Sequence, residues 1–217
     1  MAQEFAVTDR TSLGRLPERG SHDVEAAYDI LDEALYCHVG FAIDGKPAVI
    51  PTIHARDGDR LVLHGSAASR MLRTLKGGVD VCVVATLLDG LVMARSAFHH
   101  SMNYRSVVIF GRARLIEDED DRELAMRAIT EHIAPGRWDD ARRPNRNEDK
   151  ATMLVEIPLL EASVKTRTGP PEDDEADMDL GVWAGVIPVA TSFGDPIPSP
   201  DLSSGIDVPS YLDGYHR

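Results

Sequence analysis

Cysteine is scarce in this chain: Cys37 and Cys82 are its two thiols, each inside an apolar strand-like run, and they form neither a CxxC pair nor a disulfide framework. Both are expected as reduced core residues. Long apolar runs are missing as well. No stretch approaches the roughly 20 residues of a membrane-spanning helix, and the N-terminus MAQEFAVTDR has no apolar signal core, so a cytoplasmic protein is expected. Basic residues are outnumbered, 23 against 36 acidic, and the formal charge of −13 repels phosphate backbones and anionic lipid. That disfavours nucleic-acid and membrane partners and requires any anionic ligand to be held by local basic groups. His54, His64, His99 and His100 form no HxxxH or HExxH pair and no thiol accompanies them, so no metal site is expected. His38 reads as a barrel residue. There is no internal repeat.

What is present suffices for one good-sized domain. The 217 residues are 43% hydrophobic, enough for a real core and too many for disorder throughout. Residues 1–20 show no sustained period and are expected as an N-terminal arm, 21–190 as the folded domain, and the Pro/Ser/Asp/Gly-rich residues 191–217 as an extended tail docked on the barrel or on a partner subunit. Ser21 is the expected cap of a helix over His22 to Glu33. From Ala34 the period changes to two. Leu35, Cys37, Val39, Phe41 and Ile43 alternate with smaller or polar residues, and Asp44-Gly45 and Asp57-Gly58-Asp59 mark tight turns between three strands. Val79 to Leu87 and Leu91 to Phe98 read as a hairpin about Asp89-Gly90, followed by a long strand from Tyr104 to Ile116. The acidic run Glu117 to Asp121 reads as a solvated helix start rather than a metal site, with Leu124, Ala125, Ala128, Ile129 and Ile133 on the core side. Further strands are expected at Ala151 to Ile157 and Ala162 to Thr166. Six to seven short strands at hairpin spacing, with a few helices between them, predict a mainly β fold with α: a closed or nearly closed antiparallel split barrel with flanking helices.

Two segments carry chemistry. In RLVLHGSAASRMLRTLKGG, residues 60–78, a short strand meets Gly65 and Ser66, and Ser66 is the expected N-cap of a helix from about Ala67 to Lys76 with Ala68, Met71, Leu72 and Leu75 facing inward. Free backbone N–H groups, the Ser66 and Ser69 hydroxyls and the Arg70 guanidinium would then converge on a spot suited to a phosphate. An ordinary Ser-capped helix with arginines on its wet face fits the same residues. In SMNYRSVVIFGRARLI, residues 101–116, Ser101, Asn103, Tyr104 and Ser106 gather polar groups at a strand start, which is equally the pattern of a polar strand edge.

Together with GVWAGVIPV (181–189), IPTIHARDGDRLVLHGSAASRMLRTL (50–75) and YRSVVIFGRARLI (104–116) resemble the pyridoxamine 5′-phosphate oxidase-like FMN-binding split-barrel proteins, especially their nitroimidazole resistance reductase branch. The resemblance implies bound FMN, a small-molecule substrate and a homodimer. It places His64, Gly65, Ser66, Ser69 and Arg70 against the flavin phosphate and ribityl chain, and Pro51, Thr52 and Ile53 along the isoalloxazine ring. Ser101, Tyr104 and Ser106 would flank the same cofactor, Trp183 would close the pocket across the dimer interface, and His64 is the candidate catalytic residue. The arginine-rich substrate-phosphate signature of true pyridoxamine phosphate oxidases is absent near the C-terminus. The resulting expectation is a flavin-dependent oxidoreductase, with a haem-binding or haem-degrading split barrel, or a flavin-binding module without turnover, as alternatives.

Overall fold

The period-two spacing and its turns build the first half of the sheet as expected. In the computed structural model, which describes residues 3–216, β1 (Gly20–Ser21) leads into α1 (Val24–Glu33), and β2 (Tyr36–Ile43), β3 (Lys46–Asp57) and β4 (Arg60–Ser66) follow as an antiparallel meander. Cys37, Val39 and Phe41 are buried while Tyr36, His38 and Ala42 are exposed on the opposite face. His38 is thus a surface residue rather than a barrel lining. Asp44 and Gly45, with φ of 50° and 73°, take the two left-handed positions that a type I′ hairpin turn requires. Burial pushes the Cys37 thiol up to about 12, as befits an inert core residue.

The chain continues through α2 (Arg70–Leu75), β5 (Asp80–Met93), β6 (Ser101–Arg112), β7 (Arg114–Leu115), α3 (Glu119–Ile133), α4 (Arg137–Asp140), α5 (Arg146–Ala151), β8 (Thr152–Pro158), β9 (Glu161–Arg167) and β10 (Gly185–Pro188). All pairings are antiparallel, in the order β1-β9-β6-β5-β2-β3-β4-β8-β7, with β10 on the free side of β5. The sheet curls until β6 meets β8: a Cβ on Gly111 would stand 2.7 Å from Ile157 Cγ2. This is a mainly β split barrel. It has ten strands rather than six or seven, because β1 and β7 are two-residue pieces and β10 comes from an isolated apolar island.

Two of the expected turns and caps fall elsewhere. Asp89-Gly90 is a bulge inside β5, which pairs with β6 from Asp80–Arg112 to Val92–Ser101 with one register shift between Leu88 and Gly90. The bulge frees the Asp89 carboxylate to accept from Arg105 at 2.8 and 3.1 Å, and Gly90 admits β10, whose Ile187 carbonyl would lie 3.2 Å from a Cβ there. The cap of α1 is Asp23, accepting from Ala26 N at 3.0 Å, while the Ser21 hydroxyl accepts from Asp23 N. On α3, capped by Asp118, the buried side is Ala125, Ile129 and His132, and Leu124 and Ile133 are exposed.

The core lies on both sides of the sheet. Val39, Leu61, Leu63, Val83 and Ile109 fill the barrel with Leu72 and Leu75 of α2, each full burial contributing about 1.5–3 kcal/mol. A smaller cluster of Ala55, Val62 and Leu154 seats α3 through Ala125 and Ile129. The N-terminal arm is tied to this chain's own barrel by buried Phe5 and by Glu161, which accepts from Thr8 and Arg10. The tail docks on α3 and α4, and its first residues, Thr191 and Phe193, line a cleft with Tyr36 of β2 and Leu88 of β5. Tyr211 donates to Asp140 at 2.6 Å and packs against Gly136, while Tyr215 stacks edge-on with Phe193 and bonds the Ile133 carbonyl. No helix among the described residues is long and apolar enough to cross a membrane.

Arg60 fastens the α3 layer to the sheet. It reaches Asp57 and Asp121 at 2.6 Å and Glu156 at 2.9 Å, which holds the Asp121 carboxyl below its ordinary range. Because the folded value is the lower one, this contribution is present above the ordinary carboxylate range and is lost as pH falls through it. Arg60→Met is expected to cost about 2–3 kcal/mol at pH 7, since it strands three carboxylates in a partly screened site. Urea denaturation should also show a shallower loss of stability between about pH 5 and 3 in the variant than in the parent, in the interval where such carboxylates take up protons. Equal midpoints at pH 7 would count against the cluster.

Candidate functional site

The strand-to-helix turn is built differently from its sequence expectation. β4 runs on through Gly65 and Ser66 because both pair with β8, opposite Met153 and Thr152. Ser69, not Ser66, therefore caps α2, its hydroxyl accepting from Leu72 N at 3.4 Å, and the helix begins at Arg70 and spans six residues. Ser66 instead closes the turn, its hydroxyl accepting from Ala68 N at 3.1 Å and its carbonyl from Ser69 N at 2.8 Å. Ala68 is consequently exposed, whereas Met71, Leu72 and Leu75 pack inward as expected. Gly65 allows the close approach of strand and helix, since a Cβ there would meet Leu72 Cδ1 at 3.0 Å. Arg70 is exposed, and among the described residues it forms no ion pair.

One neighbour of the turn was not singled out in the sequence. Ala67 N donates to Ala151 O at 2.8 Å, which sets the turn beside the end of α5. A cleft of about 490 Å³ lies there, with Ala67, Arg146, Lys150 and Thr152 on its walls, and Arg146 and Lys150, four residues apart on α5, form no ion pair among the described residues. The signal available in the sequence was the arginine-rich stretch 137–150 in an acidic chain. Glu117 and Glu119 stand on the same cleft, and Asp149 there is neutralised by Arg122 at 2.7 Å.

His64 stands half-buried on β4, opposite Leu154. Burial lowers its pKa, so the ring is neutral near pH 7, and its enclosed Nδ1 has no hydrogen-bond partner among the described residues. Next to it on β3, Pro51 and Ile53 lie on the open outer face of the sheet, opposite His38 and Tyr36 of β2. Thr52 points to the other side, beside Cys37, and donates to the Ile53 carbonyl at 3.3 Å. Tyr36, Val49, Ile53 and Leu88 leave this outer face apolar and uncovered.

The second group of predicted residues is remote within one chain. The register row Pro51–His38–Val84–Val108–Ser163 crosses β3, β2, β5, β6 and β9, so Pro51 and Val108 are three strand spacings apart, about 14 Å. Tyr104 and Ser106 share the face of Val108, and Ser106 donates to Lys165 O at 3.2 Å. Ser101 lies farther still. Arg112, at the other end of β6, bonds Gly78 just beyond α2, which puts Ser101 about 36 Å along the strand from that contact. Trp183 belongs with Ser101: its exposed ring covers Gly185, which pairs with Met93. The structure thus forms two clusters, His64 to Arg70 with Pro51 and Ile53, and Ser101 with Trp183, with Tyr104 and Ser106 on the sheet between them.

Comparison with known proteins bears on the same geometry. A family model described as pyridoxamine 5′-phosphate oxidase matches residues 23–166. Among solved structures, the chain is similar to the flavocytochrome Anf3 from Azotobacter vinelandii, with 39% identity and a TM-score of 0.91 over 96% of this chain and 97% of that one. It is similar also to the FAD and heme binding protein from Mycobacterium smegmatis, with 36% identity and a TM-score of 0.86 over 90% and 96% of the two chains. A putative 5-nitroimidazole antibiotic resistance protein from Bacteroides thetaiotaomicron, 22% identical, has a TM-score of 0.55 over 67% of this chain and 85% of that one, a likeness of fold alone. No curated protein sequence matches.

Proposed function

The chain belongs to the pyridoxamine 5′-phosphate oxidase family, and from that membership we propose that it is a homodimeric flavin-dependent oxidoreductase that carries haem as well as flavin. The observation behind this reading is the end-to-end correspondence, at 39% and 36% identity, with proteins named as a flavocytochrome and as an FAD and heme binding protein. The residues fit a flavin. Arg70 and the Ser66 and Ser69 hydroxyls hold the phosphate end at an exposed turn, and Pro51 and Ile53 offer an apolar patch of the outer sheet face to the ring. His64, neutral at neutral pH, precedes the same turn on β4 and donates or accepts one hydrogen bond there without adding charge. When bound, the flavin supplies transfer of reducing equivalents between a reductant, such as a reduced nicotinamide, and a small oxidant. FAD is the expected form, and FMN is the alternative that the same turn would hold.

A second copy completes the site. The outer face bearing Tyr36, Val49 and Ile53 is the apolar surface the dimer would cover. It brings the partner's sheet end toward the phosphate turn that one chain leaves remote from Ser101 and Trp183. Protein purified with added FAD, FMN and haemin is expected to show flavin bands and a Soret band, to release FAD on denaturation, and to sediment as a dimer. Loss of the flavin bands on gel filtration, or a monomer with flavin bound, would overturn the reading. A flavin-loaded dimer without a Soret band would reduce it to a flavin enzyme on a small organic substrate.

A further inference from the structure

We infer that His100 is the axial ligand to haem, in a site made by the β5–β6 loop and the C-terminal segment; this rests on the flavohaem reading above. His100 Nδ1 lies 3.0 Å from the Ser96 carbonyl, which can only accept, so the proton is on Nδ1. Nε2 is then left with its lone pair on an exposed ring. A backbone carbonyl fixing the far nitrogen is the arrangement that metal-ligating imidazoles ordinarily have.

The loop that presents His100 is held rigidly from the C-terminal side. Asp173, its side chain fully enclosed, accepts from Arg95 N at 2.8 Å and Arg95 Nη1 at 3.0 Å, and Asp174 takes His99 Nε2 at 3.2 Å. Beside the loop lies an uncovered apolar platform. Met102, Leu91 and Ile187 are register neighbours across β6, β5 and β10, all exposed, and the Trp183 ring covers Gly185 next along the strand. Phe98, 87% exposed, rises from the loop itself. His100 is extended (φ −58°, ψ 140°) two positions before Met102, hence on the same side of the chain. A flat apolar macrocycle with one open iron position matches an exposed apolar row with an oriented imidazole at its edge.

The family match covers His100, Leu91 and Met102 and ends at residue 166, before Asp173, Trp183 and β10, whereas the similarity to the flavocytochrome and to the FAD and heme binding protein extends over 96% and 90% of the chain. The other histidines stand away from this platform. His54 and His132 are buried between layers, His22 bonds Thr11 O of the N-terminal arm, His216 lies at the end of the tail with its Nδ1 2.8 Å from Gly214 O, His99 is held by Asp174, and His64 is on β4. His38 is open but lies within the outer face that a second copy would cover.

The test is haemin titration of full-length, flavin-loaded protein, followed by the Soret band. His100→Gly is expected to weaken haemin binding at least tenfold and to shift the band, added imidazole should restore it, and flavin binding should be unchanged. His22→Ala, His38→Ala and His216→Ala should keep the parental band. A parental spectrum and affinity in His100→Gly, or loss of the band in one of the other three instead, would overturn the assignment of His100. Absence of any Soret band in the parent would overturn the flavohaem reading with it.

Discussion

Arg70→Ala is expected to weaken flavin binding by about 1.5–3 kcal/mol, roughly 10- to 150-fold in dissociation constant, the range for hydrogen bonds to a charged group. Three features of the turn lead to that size. The chain carries a formal charge of −13, so an anion finds little support beyond local cations. Arg70 has no carboxylate partner among the described residues, so its guanidinium need not leave an ion pair to meet a phosphate. The helix behind it has six residues, so its dipole is short and the guanidinium bears more of the attraction than it would on a longer helix. Flavin-fluorescence titration at fixed salt measures the effect, and Arg70→Lys should recover part of it by keeping the charge without the fork. An unchanged dissociation constant for Arg70→Ala would remove the turn from the site. The same titration on Lys150→Ala asks whether the α5 cations share the load, with a smaller loss expected because Lys150 lies across the cleft rather than on the turn.

The parts of this molecule legible in its sequence are those fixed by neighbours in the chain. Asp44-Gly45 and Asp57-Gly58 carry their own turn conformations, and the alternation about Cys37 and Val39 needs only one buried face, so the β2–β4 meander could be read directly. The misreadings are places where a distant strand decides. Gly65 and Ser66 have the chemistry of a strand break and a helix cap, yet pairing with Met153 and Thr152 keeps them in β4 and hands the cap to Ser69. Asp89-Gly90 suits a hairpin as well as a bulge, and pairing with β6 and β10 selects the bulge. The turn after β4 was legible as a local serine-rich motif followed by an exposed arginine, with its cap one turn later than expected, at Ser69. That α5 stands beside it, and that β6 carries Ser101 far from it, depend on sheet register, which a single sequence does not display.

His54→Ala is expected to destabilise the fold by about 3–5 kcal/mol, the largest single loss on this surface-poor side of the barrel. His54, one of the histidines whose spacing in the sequence fits no metal site, is in the structure a fully buried joint between layers. Its Nε2 lies 3.0 Å from the Leu31 carbonyl, and since a carbonyl only accepts, that nitrogen carries the proton. Leu31 O is one of the last four carbonyls of α1, which the helix itself cannot satisfy. The His54 ring also lies 5.0 Å from the ring of His132 on α3, which in turn bonds the Ala34 carbonyl at 3.0 Å, just past the end of α1. Two imidazoles from β3 and α3 thus close the inward side of the C-terminus of α1, at buried Leu31 and Ala34. Alanine removes the bond, strands a buried carbonyl and opens a cavity the size of an imidazole, three losses that act together. His54→Leu separates them, because it keeps most of the volume while leaving the carbonyl unpaired, and about 1–3 kcal/mol is expected. Urea denaturation at pH 7 followed by far-ultraviolet circular dichroism gives both values. If both variants fell within about 0.5 kcal/mol of the parent, the ordinary range for surface changes, His54 would be no structural joint, and the closure of α1 would have to rest on His132 alone.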